Sequence, residues 1–124
     1  MPLSTRPTIT PQNGDPITLP QPLRVEVAQG QAILEWEEIE REEYAALLPL
    51  AAEAVEQKRT RTGKFVIYRT GGRVCTLSTP WHSPYTGSTS ALTMTGCFIL
   101  QEAQASDRIG VRMVFLKGDE VYGR

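Results

Sequence analysis

LRVEVAQGQAILEW, residues 23–36, is the stretch from which the fold is read. It alternates apolar and polar residues on both sides of Gln29-Gly30, the period of a half-buried strand. With a two-residue loop, Leu23 falls opposite Trp36, Val25 opposite Leu34 and Val27 opposite Ala32, and all six are apolar. The reverse face sets Arg24 against Glu35 and Glu26 against Ile33. A slip of one residue would scramble this segregation, so the register is specified. Gln is a poor residue for positive φ, which leaves a bulged three-residue turn open. The expected unit is an antiparallel hairpin with one face on a core.

Downstream, Ile39, Leu47, Leu50, Ala51, Ala54 and Val55 recur at helical spacing, which predicts a helix over about 38–58. Glutamates crowd its start and Lys58, Arg59 and Arg61 its end, as the macrodipole favours. Pro49 interrupts it, and a mid-helix proline deletes one backbone bond, so a kink or two short helices are expected. KFVIYRT and RVCTLST flank Gly71-Gly72 and read as a second hairpin, with Tyr68 opposite Cys75 and Val66 opposite Leu77. PWHSPYTGSTS, residues 80–90, has the composition of a loop. ALTMTGCFILQ reads as a long strand with Gly96 a candidate bulge, and IGVRMVFLK alternates again beyond a polar connection near Ser106-Asp107. The sum is α+β: a mainly antiparallel twisted sheet or partly closed barrel of about six strands, with one Pro-kinked helix against it.

Upstream, six prolines stand in residues 1–22, at positions 2, 7, 11, 16, 20 and 22. Proline fixes φ and lacks a donor, so this stretch is neither helix nor central strand. It is read as an extended arm, residues 1–22, on a single domain, residues 23–124. Ile9, Ile17 and Leu19 recur between the prolines, which gives the arm apolar contacts and favours docking, on its own sheet or on a neighbour's, over free solvation.

Composition narrows the functional classes. Formal net charge is −1 over 124 residues, so no global field draws nucleic acid or a membrane. Locally the charge is segregated. Residues 35–57 hold eight glutamates and one arginine, and residues 58–73 hold six cations and no acid. Such opposed runs suit meeting a copy of the same chain. Cys75 and Cys97 make no disulfide framework and are read as buried thiols. No apolar leader follows Met1 and no run reaches membrane-spanning length, so the expectation is a cytoplasmic or virion protein, without membrane association or signal-directed export.

Chemistry-bearing residues are sparse. His82 is the single histidine, and a catalytic imidazole needs an orienting partner that no acid in its loop supplies. One histidine and two separated cysteines give no zinc ligand set. Thr70-Gly71-Gly72-Arg73 lacks the phosphate-loop pattern. No cofactor or metal is expected. Trp81, His82 and Tyr85 stand between or beside Pro80 and Pro84, a stiffened aromatic loop suited to protein contact.

The leading expectation is therefore a non-enzymatic structural or assembly protein. It would self-associate or join a larger lattice through Ile9, Ile17 and Leu19 of the arm and through Trp81, His82 and Tyr85. A proline-rich arm on a small β-rich domain resembles the plan of phage or viral particle proteins such as capsid cement or decoration subunits, an architectural likeness without a shared motif. Two alternatives stand beside it. One is a nucleic-acid module using Lys58, Arg59, Arg61, Lys64 and Arg73, opposed by the neighbouring acids. The other is a small ligand-binding or enzymatic domain near His82, Tyr85 and Cys97.

Overall fold

The computed structural model describes residues 6–28, 30–59, 61, 65–83, 85–105 and 108–117. Nine strands and one short helix are formed by these residues: β1 Thr8–Pro11, β2 Ile17–Thr18, β3 Arg24–Ala28, β4 Gln31–Trp36, α1 Arg41–Leu47, β5 Glu53–Arg59, β6 Phe65–Thr70, β7 Cys75–His82, β8 Thr89–Ala105 and β9 Arg108–Lys117. Seven of them make one antiparallel sheet in the order β2-β1-β7-β8-β9-β4-β3, and β5 and β6 make a separate two-stranded ribbon.

The β3–β4 hairpin has the expected register, with Val25 opposite Leu34, Val27 opposite Ala32 and Ala28 opposite Gln31. Gln29 and Gly30 alone connect the strands, and Gly30 takes the positive φ of 75° that such a turn demands. The prediction for Leu23 is corrected. Its N–H donates to the Glu35 carbonyl at 2.8 Å, so pairing starts at Arg24 and Leu23 is left 70% exposed rather than opposite Trp36.

The long strand β8 organises the rest. Residues 89–96 of it pair with β7, and residues 96–105 with β9, so Gly96 alone carries both neighbours. No register break occurs at Gly96, and it is not a bulge. It marks the point where the sheet passes from one half to the other. The edges come together by a second constraint. Six residue steps from Thr18 to Arg24 span at most about 21 Å, whereas strands six places apart in a flat sheet stand about 29 Å apart. The sheet therefore folds over on itself without closing, and residues 19–23 cross between its two edges.

The enclosed core holds Ile9, Leu19, Leu34, Trp36, Leu77, Met94, Phe98, Met113 and Phe115, with Leu47 and Leu50 from the helical connection. Phe98 and Phe115 stack near-parallel at 6.4 Å between ring centroids. A smaller cluster of Ala52, Ile99, Val114 and Leu116 lies apart from it.

Three expectations are overturned. The helix spans only Arg41–Leu47, and it stops where Pro49 withholds the next backbone donor. Residues 53–59 then run as a strand although their propensity is helical; Ala52 is bridged to Ile99 and its N–H donates to the Phe98 carbonyl at 2.8 Å, so pairing overrides local preference. The predicted pairing of KFVIYRT with RVCTLST is absent: β6 pairs with β5, and β7 pairs with β1 and β8. Gly71 and Gly72, at φ of 76° and 85°, redirect the chain instead of closing a hairpin. Finally, residues 80–90 are not all loop, since β7 reaches His82 and β8 starts at Thr89. Pro80 is accommodated because pairing with β1 ends at Ser78, which leaves that side of β7 open.

Residues 6–20 are built into this body. β1 lies between β2 and β7, so a proline-bearing strand is interior after all. Pro7 precedes β1 and Pro11 ends it opposite Cys75, Pro16 and Pro20 flank Ile17–Leu19, and Ile9 and Leu19 are 0% exposed. Trp36 Nε1 donates to the Pro20 carbonyl at 2.7 Å and ties the crossing to β4.

Candidate functional site

Among the described residues, the end of the β7–β8 hairpin carries the most exposed aromatic side chain, Tyr85. β7 and β8 pair through His82 and Thr89, and the six residues 83–88 turn between them. Ser83 is buried, and its hydroxyl accepts from the Tyr85 N–H at 3.2 Å and the Thr86 N–H at 3.3 Å. The Ser83 N–H donates to the Ser88 carbonyl and the Gly87 N–H to the Ser83 carbonyl, each at 2.9 Å. The Thr86 and Ser88 hydroxyls meet at 2.8 Å. Gly87, at φ 71°, supplies the left-handed conformation that closes the turn. These bonds brace the loop, and Tyr85 projects from it 93% exposed.

Trp81 is half-buried beside this loop, and His82 is exposed with Nδ1 3.2 Å from the Thr89 hydroxyl. A groove of about 230 Å³ opens next to them, lined by Pro22, Val25, Pro80, Trp81, His82 and Thr89 among others. It forms because residues 19–23 carry the chain from one sheet edge to the other, bringing Pro22 and Val25 toward the end of β7. The aromatic contact residues read from the sequence are therefore close together, and the groove beside them was not legible, since it depends on the folding-over of the sheet.

The other residues singled out are placed elsewhere. Ile9 and Leu19 are in the core, and Ile17 is half-buried against it, so they present no free apolar face. Cys97 is buried in β8, eight residues from Thr89 and hence about 26 Å along the strand from His82; His82, Tyr85 and Cys97 share no pocket. Cys75 lies opposite Gly96, so Cys97 is its diagonal neighbour on the opposite face, and both thiols are free. Of the basic run, Arg61 and Arg73 are exposed. Lys64 and the side chains of Lys58 and Arg59 lie outside the described residues, although the backbone of Lys58 and Arg59 ends β5. A larger depression of about 480 Å³ lies between Arg6, Pro20, Glu38, Ile39, Glu40 and Glu43; its carboxylates lie on and before α1. Among the described residues no group of three histidine, cysteine or acidic side chains is placed to hold a metal, and no helix is long and apolar enough to cross a membrane.

No family model, curated protein or solved structure matches the chain.

Proposed function

We propose that this chain is a non-enzymatic structural or assembly protein that attaches to copies of itself or to a larger protein lattice, with the β7–β8 end as an attachment surface. One observation carries the reading: Tyr85 is held 93% exposed on a loop that hydrogen bonds have already ordered. An aromatic side chain brings large contact area at small entropic cost, and a pre-ordered loop removes most of the rest. Trp81 and the groove beside it continue the surface. Behind it, residues 8–11 and 17–18 are stitched into the sheet as β1 and β2. A phage or viral particle component such as a capsid cement or decoration subunit is the narrower form of this proposal, and a cytoplasmic location is its cellular counterpart.

Sedimentation of the full chain across a concentration series tests the reading. Association is expected, and Tyr85→Ala should weaken it about tenfold or more. A chain that stays monomeric at near-millimolar concentration, or association indifferent to Tyr85→Ala, would contradict it.

A second reading draws on the β5–β6 ribbon. Lys58 and Arg59 end β5, and Arg61 and Lys64 lie in the connection to β6, while Glu53 sits at the opposite end of the ribbon. A two-stranded ribbon has the width of the DNA major groove. Salt-dependent binding of a short DNA duplex, lost in Arg59→Ala/Arg61→Ala, is the expected result; absence of binding at low salt would remove this reading.

A further inference from the structure

We infer that the free edge of β3 is a self-pairing surface, joining two copies of the chain through an antiparallel β3–β3′ contact centred on Val25. The inference rests on the assembly reading above but uses the backbone edge of β3 rather than the Tyr85 loop, although the Val25 side chain also lines the groove beside Trp81.

Among the described residues β3 is the edge of the seven-stranded sheet, with no strand beyond it. A two-residue hairpin loop is closed by a hydrogen-bonded pair, here Ala28 and Gln31, and bonding alternates from there. Arg24, Glu26 and Ala28 thus bond to β4, while Val25 and Val27 turn their N–H and C=O groups outward. An unpaired edge of this kind is a template for another strand. Neither a bulge nor a proline protects it within Arg24–Ala28.

The side chains select the occupant and the register. In a two-fold pair centred on Val25, Val25 meets the same residue of the second copy. Arg24 faces Glu26 of the other chain, and Glu26 faces its Arg24. Arg24 is already one position in a cross-strand row with Glu35 and Arg112, and Glu35 and Arg112 are paired at 3.7 Å. Adding Glu26 from a second copy extends the row as an alternation of negative, positive, negative and positive charge. Within one chain, Arg24 and Glu26 pair with each other and stay largely solvated, so both are available to switch partner. Leu23, 70% exposed at the start of the strand, falls beside Val27 of the other copy. The neighbouring register, centred on Glu26, sets two glutamates directly opposite and forfeits both Arg–Glu pairs. A one-residue shift from either puts opposing side chains on different faces.

Charge exchange on the full-length chain tests this by sedimentation. Glu26→Arg alone and Arg24→Glu alone each set like charges across the edge, and each is expected to raise the dimer dissociation constant about 30-fold or more. Mixing the two variants restores complementarity, so a mixed dimer should form at wild-type strength, and the double exchange should recover self-pairing. Val27→Pro, which removes an outward N–H at an edge that tolerates proline, should also abolish the dimer without altering the far-ultraviolet circular dichroism. Dimers that survive Glu26→Arg, or single variants that fail to rescue each other while the wild type dimerises, would overturn the β3 contact and leave the Tyr85 reading standing. A monomeric wild type would overturn both. A dimer abolished by Glu26→Arg and unaffected by Tyr85→Ala would support the β3 contact against the aromatic loop.

Discussion

Gly72 passes Ala52 so closely that a β-carbon placed on it would stand 2.7 Å from the Ala52 β-carbon and 3.0 Å from the Ala52 backbone nitrogen. The neighbouring Gly71 has open space around it, although both residues hold positive φ. Gly72→Ala should therefore combine backbone strain with overpacking and cost about 2–4 kcal/mol, whereas Gly71→Ala should cost about 1–2 kcal/mol from strain alone. Urea unfolding of the two variants checks the difference, and equal losses would refute the close approach.

The Tyr44 hydroxyl donates to Glu102 at 2.6 Å and anchors α1 to β8. This hydrogen bond, with burial and the carboxylate charge, pushes the phenol up to about 12 from 10.0. The raised value favours the protonated ring in the folded state. Its contribution is complete below pH 10 and is lost as pH climbs from 10 to 12. Solvent access at the pair holds that contribution to about 1 kcal/mol. Tyr44→Phe should remove it at neutral pH and flatten the alkaline fall in the urea midpoint.

Burial pushes the Cys75 thiol up to about 11, the nearby Cys97 adds to the shift, and Arg73 opposes it. Both thiols are buried. At pH 8 the folded protein should react with a disulfide reagent far more slowly than the denatured chain, with two equivalents appearing only on unfolding. Rapid reaction of either thiol in native conditions would contradict the packing around β7 and β8.

Ile9 pairs with Leu77 across β1 and β7 and is fully buried. Ile9→Ala should cost about 2–5 kcal/mol. Removing residues 1–20 strips a neighbour from β7 and takes Leu19 from the core, so the truncated chain should unfold at much lower denaturant or fail to fold. A truncated chain as stable as the parent would show that residues 6–20 are a detachable arm.

The local periodicities were legible where a strand meets its sequence neighbour. The β3–β4 register follows from alternation and a two-residue connection, because a wrong register would expose one whole face, and β8 and β9 were legible as strands from alternation although their pairing was not. Tyr85 stands in a loop as Pro84 and Gly87 suggested, whereas Trp81 and His82 belong to β7, which the prolines of residues 80–84 concealed. Residues 53–59 were misread because alanine and glutamate carry helical propensity, while pairing with β6 decided the outcome. The prolines of residues 7–20 were read as excluding an interior strand. They stand at strand ends instead, where a missing donor costs little.

Alternation and punctuation alone thus determined that the chain is mainly antiparallel sheet, since both depend on residues a few positions apart. Tertiary structure decided which strands became neighbours, that Ile9 and Leu19 enter the core, and that residues 19–23 cross between the sheet edges beside Trp81. Those outcomes rest on pairing free backbone edges and filling one enclosed volume, and neither condition is written in any single stretch of sequence.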